Sequence, residues 1–124
     1  MADRVDDPSV TDDTILWRRV LPDWLHKNED GSYRPQSIAF VDRGSHELSV
    51  HISHMTTPQK ALAGFPDDSL ASFTAGFARS LGFKVVPDST PVDPSHALIC
   101  PSPTGKKAKK FAKESTWVVL KTAQ

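Results

Sequence analysis

The residues with the clearest capacity for chemistry are cationic. Lys106, Lys109, Lys110 and Lys113 recur at i, i+3, i+4 and i+7, so on a helix they form one continuous stripe, with Ala108, Phe111, Ala112, Ser115 and Val118 on the other side. Thr104-Gly105 stands just ahead of them, where Thr104 can cap the helix and the first backbone amides lack partners. Free amides beside ammonium groups make a place for an anion, and this reading assigns anion binding to Thr104, Gly105, Lys106, Lys109, Lys110 and Lys113. A solvated helix face explains the same lysines without a ligand. Thr104-Gly105-Lys106 is only a fragment of a nucleotide phosphate loop, because such a loop needs glycine where Cys100 stands and Ser or Thr where Lys107 stands.

Arg34 is the second cationic candidate. Held by Pro35, its guanidinium is suited to a bidentate anion contact, and an ion pair with an acidic neighbour is the alternative. Of the histidines, His26 lies at the lip of a loop and His96 opens an apolar strand, so these two are the acid–base candidates if the protein is an enzyme, with Arg34 and Lys106 as anion clamps. His46, His51 and His54 do not converge on an extended strand, and without cysteine partners they make no zinc spacing. His51 reads as a solvent-facing residue. The sequence calls for no metal and no cofactor. Cys100, the one cysteine, sits in an apolar run as a protonated thiol, which excludes an internal disulfide and fits a reducing, cytoplasmic setting.

These groups need elements to position them. At 124 residues and 38% hydrophobic content the chain suits one domain, and no apolar run reaches the roughly 18 residues of a membrane span. Net charge is zero but unevenly distributed: acids prevail through Asp30, and from Pro101 onward only Glu114 opposes six lysines. Residues 1–13, acidic and without an aromatic, read as a disordered tail, and residues 14–124 as a single α+β domain. Residues 14–21 read as a strand, Asn28-Glu29-Asp30-Gly31-Ser32 as a turn, and Thr57-Pro58 as the start of a short helix ending at Gly64. Ile38, Phe40 and Val41 are expected to pair across Asp42-Arg43-Gly44-Ser45 with Leu48, Val50 and Ile52 as a central hairpin. Residues 67–82 fit either one helix or a strand followed by a Thr74-capped helix. Residues 83–86 and His96 to Cys100 read as strands, giving a mostly antiparallel sheet packed by two or three helices, the basic C-terminal one among them. Trp17, Trp24, Phe40, Val50, Phe73, Phe77, Leu81, Leu98 and Phe111 are the expected core.

Leu16-Trp17-Arg18-Arg19, the run from Arg34-Pro35-Gln36-Ser37 to Asp42, Thr74-Ala75-Gly76 with Arg79, and Asp93-Pro94-Ser95-His96-Ala97-Leu98 resemble the corresponding phrases of a group of small uncharacterised bacterial proteins. The resemblance spans about Ile15 to Trp117, with Gln36 where the group has a small residue. It implies a bacterial cytosolic origin and directs attention to Arg34-Pro35 and Ser95-His96. Two functions follow as expectations. The first is a non-catalytic accessory or binding protein, or a subunit of a larger complex, that engages nucleic acid or an acidic protein surface through the C-terminal helix. The second is a small enzyme acting on a nucleotide or other phosphate-containing substrate, which requires Arg34 and His96 to share one pocket.

Overall fold

The strands arise where side chains alternate in character. In the strand Leu48–Ile52, Leu48, Val50 and Ile52 are buried on one side, and Ser49 and His51 alternate with them. The computed structural model describes residues 4–42 and 44–122. Its strands are β1 (Ile15–Val20), β2 (Leu25–Lys27), β3 (Tyr33–Pro35), β4 (Leu48–Ile52), β5 (Ser69–Thr74), β6 (Lys84–Pro87), β7 (His96–Cys100) and β8 (Thr116–Val119). The helices are α1 (Pro58–Ala61), α2 (Ala75–Ser80) and α3 (Gly105–Glu114). Six strands form one antiparallel sheet in the order β6-β7-β4-β1-β5-β8, and β2 and β3 form a separate two-stranded hairpin. The fold is α+β. No helix of the described residues is long and apolar enough to cross a membrane.

The main core lies between the sheet and α3. Leu16, Val20, Val50, Phe73, Val85 and Ile99 project from the strands toward Phe40, Ala78 and Phe111. Phe111 is fully buried, with its ring centroid 4.9 Å from Phe73, 5.1 Å from Phe77, 5.6 Å from Phe83 and 5.9 Å from Phe40. Edge-to-face geometry prevails in this cluster, as the ring quadrupoles favour. Ala61, Leu62 and Leu70 form a smaller cluster with Trp17 and Val119. Of the expected core, Phe40, Val50, Phe73, Leu98 and Phe111 are buried, and Trp17, Trp24, Phe77 and Leu81 are half-buried against these clusters.

Arg18 fastens the chain beside this core. Its guanidinium donates to Ala39 O at 2.8 Å and to Ser49 O at 3.0 Å, joining the Ser37–Phe40 turn to the sheet. Burial, with the neighbouring charge of Arg19, pushes Arg18 down to about 10, which still leaves it protonated at neutral pH.

Two expectations are corrected and one open alternative is resolved. Ser37–Phe40 is a 3-10 turn and not the first limb of a hairpin: Ala39 and Phe40 are adjacent and both buried, which a strand with one buried face does not allow. β4 pairs instead with β1 and β7; Arg43 of the expected hairpin turn lies outside the described residues. The C-terminal helix stops at Glu114, and Thr116–Val119 continues as the edge strand β8, so Val118 is not on the helix. Residues 69–80 take the strand-then-helix alternative, with Thr74 Oγ1 accepting from Phe77 N at 3.1 Å.

The N-terminal segment is also unlike its expectation. Met1, Ala2 and Asp3 lie outside the described residues, but from Asp6 to Asp12 the chain is strapped to α2 and β6. Val10 is buried in the main core, Asp7 N donates to Val85 O at 3.0 Å, and Asp6 Oδ1 accepts from Val85 N at 2.8 Å. Arg79 reaches Asp6 at 3.0 Å, Asp12 at 2.8 Å and the carbonyl of Asp7 at 2.9 Å. A Cβ on Gly76 would stand 3.0 Å from Asp12 O, so any side chain there would press on the strap. Composition pointed to disorder because Asp6 and Asp12 find their partners only once Arg79 and Val85 are in place. Arg79→Met is expected to destabilise the protein by about 2 kcal/mol in urea unfolding and to open the strap to proteolysis; unchanged stability and cleavage would show that the strap does not depend on Arg79.

Candidate functional site

The β2–β3 hairpin is short and sets out its polar groups through its turn. Asn28 N donates to Ser32 O at 2.7 Å, Gly31 takes a φ of 88°, and Asp30 Oδ1 accepts from Ser32 N at 2.9 Å. His26 and Arg34 are cross-strand partners and so share a face. Arg34 Nε donates to Asn28 Oδ1 at 3.1 Å, and among the described residues it forms no ion pair, contrary to the alternative read from sequence. Trp117 Nε1 donates to Tyr33 O at 2.9 Å, pinning the hairpin against β8.

α3 runs alongside. Ala108, Phe111 and Ala112 are buried, while Lys106, Lys109, Lys110 and Lys113 are exposed on the stripe that the spacing requires. Between helix and hairpin is a cleft of about 650 Å³, bordered by Lys109 and Lys113 on one wall and by His26 and Arg34 on the other, with Tyr33 and Trp117 between them. None of its lining residues is a carboxylate. Among the described residues no α3 lysine makes a salt bridge; of the strap's acids, Asp6 and Asp12 pair with Arg79. Lys107 instead places its ammonium over the Phe83 ring at 5.2 Å.

The structure therefore divides the expected site. Arg34, His26, Lys109 and Lys113 come together, whereas Lys106, Lys110, Thr104 and Gly105 do not line the cleft. Thr104 occupies the N-cap position without a side-chain cap; its carbonyl accepts from Lys107 N at 3.2 Å and Ala108 N at 3.3 Å. Tyr33 and Trp117 went unrecognised in the sequence. The β-branched and aromatic run Thr116-Trp117-Val118-Val119 after Glu114 carried a strand signal that could have placed Trp117 off the helix.

His96 lies elsewhere, paired with His51 across β4 and β7. His96 Nδ1 is 3.0 Å from Asp88 Oδ2, and the two imidazole centroids are 6.4 Å apart. Arg34 and His96 thus share no pocket, and the acid–base and anion-clamp constellation built on them does not assemble. His51 is not the solvent-facing residue expected: its side chain is 18% exposed, with Nδ1 3.0 Å from Ser95 Oγ and 3.4 Å from Asp93 Oδ2. Burial pushes His51 below its ordinary value of 6.5, opposed by the Asp93 carboxylate and aided by the nearby His96, Arg19 and Arg18. A lowered folded-state value means that the unfolded chain binds the proton more readily, so stability is full above 6.5 and falls as pH drops through the window beneath it. His51→Gln is expected to flatten that part of the stability–pH curve; an identical slope in both proteins would assign it to other groups.

Cys100 is buried next to Glu47, with Sγ 3.3 Å from Oε2, and burial with that carboxylate pushes its thiol up to about 12. It stays protonated. Among the described residues no group of three or more His, Cys, Asp or Glu side chains is placed to hold a metal ion. Compared with models of protein families, with curated proteins and with solved structures, the chain finds no match.

Proposed function

We propose that this chain is a binding protein for a phosphate-bearing partner, a single-stranded nucleic acid, held in the cleft between α3 and the β2–β3 hairpin. One observation carries the reading: cations face the cleft from both walls and no carboxylate interrupts them. Lys109 and Lys113 act as point charges on the backbone, and Arg34 supplies a planar fork for a phosphate. Tyr33 and Trp117 give apolar surface on which unstacked bases can rest, a combination typical of single-strand binding without sequence preference. A bacterial cytosolic setting belongs to the same reading and rests on the sequence resemblance and the lone cysteine.

The test is fluorescence anisotropy with a labelled oligothymidylate of about twelve nucleotides, within the usual site sizes, over a range of salt concentrations. Three cations in the cleft predict a slope of log K against log salt of about −2, at roughly 0.7 per neutralised phosphate on a single strand. An acidic peptide such as oligo-glutamate should compete poorly, because it offers no bases to the aromatic surface. Tighter capture of the peptide than of the oligonucleotide, or no oligonucleotide binding at low salt, would reject the proposal.

A further inference from the structure

A second concavity, of about 530 Å³, lies on the sheet face opposite α3; Arg19, His51 and Lys60 line it with Met55, Phe65 and Val92, and its one lining carboxylate, Asp93, is held by Ser95 beside His51. Each group is left with unmet capacity of a different kind. Burial pushes Asp93 up, but the hydrogen bonds from Ser95 N and Oγ hold it below its ordinary value, so it is a carboxylate and can only accept. The Ser95 hydroxyl proton is therefore committed to Asp93 Oδ1, at 2.6 Å, and Ser95 Oγ must accept from His51 Nδ1–H. The tautomer follows. With the proton on Nδ1 and the ring neutral, Nε2 is the one polar atom His51 has left for the cleft it borders, and it is an acceptor seeking a donor.

Arg19 seeks the opposite. Its Nε is buried and lies 2.8 Å from Asp68 Oδ2, yet makes no aligned hydrogen bond, while its guanidinium stacks on the Phe65 ring at 3.6 Å. Burial raises Asp68 despite the attraction of Arg19, so this pairing leaves both groups imperfectly compensated. Lys60 adds a second cation that forms no ion pair among the described residues. Around these polar groups, Met55 is 43% exposed, Phe65 42% and Val92 94%, gathering three large exposed apolar side chains at one opening.

We propose that this cleft is a second, independent site for a small apolar carboxylate that carries a hydroxyl beside its acid group. Arg19 and Lys60 take the carboxylate, His51 Nε2 accepts from the hydroxyl, and Met55, Phe65 and Val92 cover the apolar body. Arg19 and His51 stand on adjacent strands as diagonal neighbours, their Cα atoms about 7–8 Å apart across the sheet, and both line the same concavity. The site is distinct in chemistry from the α3 cleft, whose charged lining is cationic and whose aromatic surface comes from Tyr33 and Trp117.

The probe is 2-hydroxy-3-phenylpropanoate, titrated into the full chain while the histidine ring nitrogens are followed by NMR, with 3-phenylpropanoate and 2-phenylethanol as partners lacking the hydroxyl or the carboxylate. The expected result is a saturable shift of the His51 Nε2 resonance by the hydroxy acid, with affinity about tenfold weaker for each partner compound. Lys60→Gln and Phe65→Ala, both at exposed positions that keep the fold, are each expected to weaken the hydroxy acid by about threefold or more. Absence of a saturable shift, equal affinity for all three compounds, or full affinity in both variants would overturn the assignment.

Discussion

Replacing Lys109, Lys113 and Arg34 together by glutamine is expected to lower affinity for a single-stranded oligonucleotide about a hundredfold at low salt and to remove most of its salt dependence. The magnitude comes from three phosphate contacts at about 1 kcal/mol each in a solvent-open cleft, where screening limits every one of them. The lysines are exposed and make no salt bridge among the described residues, so their loss should leave the fold unchanged. Lys106 and Lys110 belong to the same helical stripe but do not line the cleft. Their replacement by glutamine is expected to weaken binding only a few-fold, through the general field. Comparable losses in the two sets of variants would mean that the stripe acts as a diffuse charge and the cleft does not organise the ligand.

Phe111→Ala should be the most damaging core substitution, at about 3–5 kcal/mol. The ring is fully buried and contacts Phe40, Phe73, Phe77 and Phe83, drawn from four separate segments. No small collapse can refill a space bounded by so many elements, so the cavity cost adds to the lost burial. The same residue seats α3, whose other buried side chains are the small Ala108 and Ala112. Display of the lysines therefore depends on it. Urea unfolding measures the loss directly, and a cost below about 1 kcal/mol would show that the aromatic cluster is not what holds the helix.

The helix α3 and strand β4 were legible because each repeats its pattern on a single period: lysines at helical spacing in one, Leu48, Val50 and Ile52 in strict alternation in the other. Thr57 and Thr74 announced their helices for the local reason that a hydroxyl two or three residues ahead satisfies an orphan amide. Where a structure depends on distant partners, the signal disappears. The strap of residues 6–12 has nothing local to distinguish it from disorder, since Asp6 meets Arg79 from 73 residues away. β2 and β3 are three residues each, too short for any period, so the wall carrying His26 and Arg34 was invisible even though both residues were singled out by chemistry. His51 looked solvent-facing from its place in the alternation, and only Ser95, 44 residues on, turns that position into a half-buried one with a fixed ring. The four basic side chains of the candidate site, His26, Arg34, Lys109 and Lys113, were therefore nameable in advance, and their assembly with Tyr33 and Trp117 was not.

The central claim is that ligand binding takes place in the α3–hairpin cleft, and mapping backbone and side-chain NMR shifts during titration with oligothymidylate tests it most directly. The account predicts perturbations concentrated at His26, Arg34, Lys109, Lys113 and the Trp117 indole, fading as salt is raised. Shifts centred on His51 and Lys60, or spread evenly over every exposed lysine, would contradict it.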